Sequence, residues 1–146
     1  MKYVREAYRP EKLFLIGLSM GGNIAVRLAK TYSNRISGAV LPSPGLNGVE
    51  LRERMKRSIA KVGNYYYFGA YRLTEEQVEG FHRDNLIEWA DKIFVPMLII
   101  HAKDDQAIPY TQSQQFFEKL AAKDKNWFCW NQEGMYSPHT NRRRGS

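Results

Sequence analysis

The sequence predicts an α/β domain built on a parallel sheet of about four strands flanked by helices. Two observations predict it. Short apolar runs at residues 13–17, 38–41, 96–102 and 127–130 alternate with amphipathic stretches at 22–32 and 111–122. The pentapeptide Gly17-Leu18-Ser19-Met20-Gly21 sits where the first run turns into the first helix.

The elements follow in order. Residues 2–8 read as a helix end stopped near Pro10, and residues 13–17 as a short buried strand. In the stretch 22–32, Ile24, Ala25, Leu28 and Ala29 recur at helical spacing and are expected to face inward. The strand at 38–41 ends at Pro42 and Pro44. The clearest strand, 96–102, carries Met97-Leu98-Ile99-Ile100, and the helix at 111–122 gathers Phe116, Phe117 and Leu120 on one side. Cys129, between Phe128 and Trp130, reads as a small strand residue.

Between the second and third strands lies a stretch too long for a simple loop. Residues 45–94 read as a helical cap insert, with helical patterns at 49–62 and 74–90 and the aromatic cluster Tyr65, Tyr66, Tyr67 and Phe68 between them. The core therefore spans 1–44 and 95–133, and residues 134–146 form a basic tail expected to lack order.

The composition limits the function classes. At 146 residues the chain suits one domain. No apolar run is long enough for a membrane span, and the N-terminus lacks the apolar segment of a signal peptide. The net charge of +7 raises nucleic acid as a partner. However, Arg52, Arg54, Lys56, Arg57 and Lys61 fit the wet face of a helix whose other face carries Leu51, Met55 and Ile59. No nucleic-acid motif accompanies them, so a solvated surface is the favoured reading. A lone cysteine cannot make an internal disulfide, which fits a cytoplasmic location.

A serine at the apex of a strand-to-helix turn holds its hydroxyl above a sheet edge, and the glycines beside it are expected because the apex is strained and crowded. Such a hydroxyl needs a base, usually a histidine oriented by a carboxylate. The third strand leads into Asp104-Asp105, on the same sheet edge; Asp105 is favoured as the acid, with Asp104 shaping the turn. His101, Asp104 and Asp105 do not complete a metal set, and neither metal nor cofactor is expected. Of the three histidines, His82 lies in the insert and His101 precedes the acid. His139 alone follows the last strand; the order serine, acid, histidine makes it the candidate base, against the alternative of a surface histidine in a polar tail.

With these segments in place, the chain resembles the α/β-hydrolase superfamily, and within it the carboxylesterase and monoacylglycerol-lipase-like serine hydrolases. LFLIGLSMGGNIAVRLA, SGAVLPSPG and VPMLIIHAKDDQAIP carry the resemblance, which runs over residues 12–133. It implies Ser19 as nucleophile, Asp105 as acid, the Met20 N–H as one oxyanion donor, and a small-molecule ester as substrate. It also implies a capped acyl pocket, with Tyr65, Tyr66, Tyr67 and Phe68 either contacting the acyl group or packing the insert. Peptidase and thioesterase chemistry use the same triad and stay open.

The departures carry expectations too. Relatives in the superfamily place further strands, and a His-Gly loop supplying a second oxyanion donor, ahead of the elbow strand; here they would lie before residue 1. Their absence would leave an exposed sheet edge open to self-association or a complementing chain. After the last strand the family has Gly-His plus an apolar residue, where this chain has Gly134-Met135-Tyr136. The alternative reading is thus an inactive hydrolase-like module that needs a partner chain.

Overall fold

A computed structural model of the chain describes residues 2–68, 70–80, 83–131 and 134–136. His82 and His139 lie outside the described residues. The elements are α1 (Lys2–Tyr8), β1 (Phe14–Ile16), α2 (Met20–Thr31), β2 (Gly38–Pro42), α3 (Gly48–Ser58), β3 (Ala60–Val62), β4 (Tyr65–Phe68), β5 (Tyr71–Thr74), α4 (Glu75–Gly80), β6 (Met97–Ala102), α5 (Tyr110–Lys119), β7 (Lys125–Asn131) and β8 (Gly134–Tyr136). Short 3-10 helices cover Ser33–Arg35 and Leu86–Lys92.

The main sheet has the order β1-β2-β6-β7-β8. Its first four strands are parallel, as the alternation of strand and helix requires, and β8 closes the far edge antiparallel to β7. Gly134–Tyr136, expected to belong to a disordered tail, therefore forms a strand: an edge strand offers unpaired N–H and C=O groups, and the chain turns back onto them.

Period-two burial on β6 shows how the sequence loads the sheet. Met97, Ile99 and His101 are buried, while Leu98, Ile100 and Ala102 are half-buried on the opposite face. The buried face packs against α2 and α5, with the 3-10 helix at Leu86–Lys92 wedged between those helices. Val26, Ala29, Leu41, Ile93, Ile99 and Phe116 make the centre of this core, all fully buried. Cys129 is buried on β7, as expected of a small strand residue, and burial pushes its thiol pKa up.

Two expectations about burial fail at the other edge. The first strand is not buried: Phe14 is 59% and Ile16 79% exposed. Ile24, expected to face inward from α2, is exposed as well. The cause is shared. β1 is the sheet's terminal strand, so apolar residues that suit a central parallel strand have no neighbour on that side.

The insert is held at a narrow neck. Asn47 and Asn85 form an antiparallel bridge, the Gly48 N–H donates to the Asp84 carbonyl at 3.0 Å, and the Leu86 N–H donates to the Leu46 carbonyl at 2.7 Å. Both expected helices are present but shorter, because Asn47 caps α3 through Glu50 N–H and the chain becomes extended at Ile59. Between them lies a three-stranded antiparallel sheet, β3-β4-β5, which the helical reading did not include. The run Tyr65-Tyr66-Tyr67-Phe68 favours a pleated surface over a helix, since bulky aromatic side chains lose χ1 freedom against a preceding turn. Tyr66 is buried, with Tyr65 and Tyr67 exposed on the other face.

Three of the basic residues of this region meet acidic partners. Arg52 lies 3.7 Å from Glu79, Lys56 pairs with Glu79, and Lys61, on β3 rather than on a helix, pairs with Glu75 at 3.1 Å. The cluster thus joins α3 and β3 to α4.

Candidate active site

The elbow is built by hydrogen bonds that continue the β1–β2 ladder past the end of β1. Gly17 N–H donates to the Val40 carbonyl at 2.9 Å and Ser19 N–H to the Pro42 carbonyl at 3.1 Å. The chain then reverses: Gly21 N–H reaches the Leu18 carbonyl at 2.8 Å and Gly22 N–H the Ser19 carbonyl at 3.0 Å, starting α2. Ser19 sits at the apex with φ 54° and ψ −116°, a conformation a non-glycine residue rarely adopts. Holding it costs about 1–3 kcal/mol, which the surrounding ladder must supply. The side chain is exposed at the carboxyl end of the sheet.

Crowding at the elbow explains its glycines only in part. A methyl on Gly17 would lie 2.3 Å from the Gly21 carbonyl oxygen, and one on Gly22 would lie 2.5 Å from Pro44 Cβ. A methyl on Gly21 would meet nothing within 4 Å. The expectation of crowding on both flanks of Ser19 is corrected to this extent: the upstream glycine and Gly22 are sterically required, and Gly21 is not.

Asp105 follows β6, two strands from β1. With neighbouring strands roughly 4.8 Å apart, the ends of β1 and β6 are separated by about 10 Å across β2. The segment after β2 touches both stations. Gly45 N–H donates to the Ser19 carbonyl at 3.0 Å. Ser43, itself at φ 40°, anchors its N–H on the Ile100 carbonyl at 2.7 Å, which brings its hydroxyl near enough to Asp105 to favour the carboxylate.

Asp105 Oδ1 accepts the N–H groups of Ala107 and Ile108, each at 2.9 Å. Burial alone would raise the carboxyl pKa, but these donors and the Ser43 hydroxyl outweigh it and hold the group below the usual carboxylate range. Asp104 is exposed, and its carbonyl accepts the Gln106 side-chain amide at 3.1 Å, a turn role as expected.

His101 is fully buried on the helix-covered face of β6. Both ring nitrogens are engaged, Nδ1 with Ser113 Oγ at 2.7 Å and Nε2 with the Ile108 carbonyl at 3.0 Å. Burial holds its pKa below the ordinary histidine value, opposed in part by that carbonyl and by Asp105. It is the one histidine among the described residues, and its ring points into the acid turn. The position of His139 lies outside the described residues.

Met20 is the first residue of α2, where backbone N–H groups have no partner within the helix. The Tyr65–Phe68 strand packs with β3 and β5, and its contacts run through α4 to α3. Tyr66 has its hydroxyl 3.5 Å from Glu75 and the Lys61 ammonium over its ring, which is a packing role within the insert. Among the described residues no group of three His, Cys, Asp or Glu side chains could hold a metal ion. Among the described residues no helix is long and apolar enough to cross a membrane. Sequence reasoning passed over Ser43 and Ser113. The signal for the first was Pro42-Ser43-Pro44-Gly45 at a strand end, and for the second a hydroxyl on the helix facing a strand histidine.

A strained serine on a strand-to-helix apex, with an aspartate on the same rim of a parallel sheet, defines an α/β-hydrolase. The family model Hydrolase_4, described as serine aminopeptidase S33, matches residues 1–85, more than half of the chain, and the chain belongs to that family. Among curated proteins it is similar to phospholipase YtpA of Bacillus subtilis (strain 168), 25% identical over 157 aligned residues covering 85% of this chain and 60% of the relative. Among solved structures, a monoacylglycerol lipase from Paleococcus ferrophilus superposes with a TM-score of 0.63 at 24% identity, over 90% of this chain and 62% of that one. The esterase Pf2001 of Pyrococcus furiosus gives a TM-score of 0.70 at 19% identity, over 89% and 49%. These superpositions show the fold. The chain spans about 60% of the length of YtpA and about half of Pf2001.

Proposed function

We propose that this chain carries the nucleophile and acid of a serine hydrolase that cleaves carboxylic esters. The observation that carries the proposal is the positive φ of Ser19 at the apex between β1 and α2. Strain of this kind persists where the surrounding structure over-determines it, and such residues cluster at reactive sites. The relatives named above, a phospholipase, a lipase and an esterase, support an ester as the substrate class.

In this reading Ser19 Oγ attacks the ester carbonyl and its proton passes to a histidine, His139 by chain order. Met20 N–H receives the developing oxyanion. Collapse breaks the ester C–O bond, the alcohol leaves with the proton, and water releases the acyl group by the same route. Asp105 fixes the histidine's tautomer. The part of the insert beyond the neck at Asn47 and Asn85 acts as a cap, with the exposed Tyr65 and Tyr67 contacting the acyl chain, while Leu86–Lys92 packs into the core. A cytoplasmic site of action rests on the single, buried cysteine.

The test is covalent labelling with a fluorophosphonate together with p-nitrophenyl butyrate hydrolysis, comparing the chain with Ser19→Ala. Labelling and turnover that vanish in the variant support the proposal. Equal rates in the two proteins reject it.

The exposed edge favours a second reading. With Phe14 and Ile16 uncovered on an edge strand, the chain would work only beside a complementing chain or a second copy paired along β1. Labelling that appears only above the concentration at which the chain self-associates selects this reading.

A further inference from the structure

We infer that His101 is a positioning residue of the acid turn, its tautomer set by the Ile108 carbonyl and its ring held by Ser113, and that it takes no proton from Ser19. Three elements meet at its ring: β6, which carries it, α5, which carries Ser113, and the turn that carries Asp105 and Ile108. A carbonyl oxygen can only accept, so the 3.0 Å contact between Nε2 and the Ile108 carbonyl places the proton on Nε2. Nδ1 is then an acceptor, and the Ser113 hydroxyl, 2.7 Å away and fully buried, donates to it. The assignment leaves both ring nitrogens satisfied with no charge in the core.

The same Nε2–H lies 3.4 Å from Asp105 Oδ2, while Oδ1 is held by Ala107 and Ile108 N–H. His101 therefore grips the turn at two points, the Ile108 carbonyl firmly and the Oδ2 carboxylate oxygen loosely. It sets where the second oxygen of Asp105 points. Removing the ring leaves a buried carbonyl unpaired and frees the carboxylate to rotate. Removing the Ser113 hydroxyl leaves the tautomer to the Ile108 carbonyl but strips buried Nδ1 of its donor and loosens the ring.

The role of Asp105 rests on the hydrolase reading; the tautomer does not. Long-range proton–nitrogen NMR of the 15N-labelled chain at neutral pH, with the signal assigned by its loss in His101→Gln, reads the tautomer directly. The expected result is a neutral ring with the proton on Nε2, and in Ser113→Ala the same tautomer with the Nδ1 resonance shifted by loss of its donor. A proton on Nδ1 in the parent chain, or an Nδ1 resonance that does not move in Ser113→Ala, overturns the inference.

The positioning role is read by the rate of fluorophosphonate labelling at Ser19. His101→Leu and Ser113→Ala are expected to slow it by about tenfold to a hundredfold, the scale of a misplaced catalytic group. His101→Gln, whose amide still donates toward Ile108, is expected to recover most of the rate at matched far-UV circular dichroism. Equal labelling in folded Ser113→Ala and parent chain refutes the positioning role. A parent chain that is never labelled refutes the hydrolase reading instead, and the NMR arm then stands by itself.

Discussion

Gly17→Ala and Gly21→Ala separate the two flanking glycines of the elbow, which the motif alone treats as equivalent. Neither has a positive φ, so the difference between them is one of space. The new methyl at position 17 would sit 2.3 Å from a carbonyl oxygen and 2.6 Å from its carbon, both backbone atoms of Gly21. No side-chain rotation relieves that contact. Either the start of α2 shifts or the β1–β2 ladder opens, and the cost falls at the upper end of overpacking, about 3 kcal/mol. At position 21 the methyl meets nothing, and alanine is the better helix former, so the variant gains about 0.5 kcal/mol even near the helix start. Urea unfolding followed by tryptophan fluorescence measures both. With a slope of about 2 kcal/mol per molar urea, Gly17→Ala lowers the midpoint by about 1.5 M and Gly21→Ala raises it slightly. A Gly17→Ala protein as stable as the parent, or a Gly21→Ala protein destabilised more than Gly17→Ala, would refute the steric account.

Ser19→Gly relieves the strain at φ 54° and should raise stability by about 1 kcal/mol while abolishing fluorophosphonate labelling; a loss of stability would mean the apex is not strained. Stability should also fall with acid in two stages. The folded pKa values of His101 and Asp105 both lie below their ordinary values, so the unfolded chain binds more protons as pH falls. The first decline begins below about pH 6.5 and the second below about pH 4, and His101→Gln should remove the first; a urea midpoint in the parent that stays flat from pH 7 to 5 contradicts this. Finally, Ile16→Lys places a charge on the open edge and should shift any concentration-dependent association toward monomer in sedimentation velocity, with unchanged circular dichroism; association that survives the substitution must use another surface.

How much of the site could be read in the chain differs from residue to residue. The elbow was legible because its chemistry is local: an apolar run, a glycine, a serine and a helix within about ten positions fix the apex geometry. That Asp105 rather than Asp104 is the carboxylate held by backbone N–H groups is equally local, since its partners Ala107 and Ile108 lie two and three residues on. Ser43 and Ser113 escaped because each meets its partner across the sheet or from the helix above it, 62 and 12 positions away in the chain. In the insert, helical spacing foretold α3 and α4, while β3, β4 and β5 depend on pairing among themselves.

The amino-acid order by itself determined the class of fold, the strand-to-helix apex and the acid turn, because short-range sterics, hydrophobic period and turn chemistry act over a few residues. The tertiary structure alone decided that β1 is an open edge, that Gly22 rather than Gly21 is crowded, and that His101 faces the acid turn from inside the core. Each of those depends on which strand lies beside which and on what a distant helix places overhead, and these contacts come into being only when the chain closes on itself.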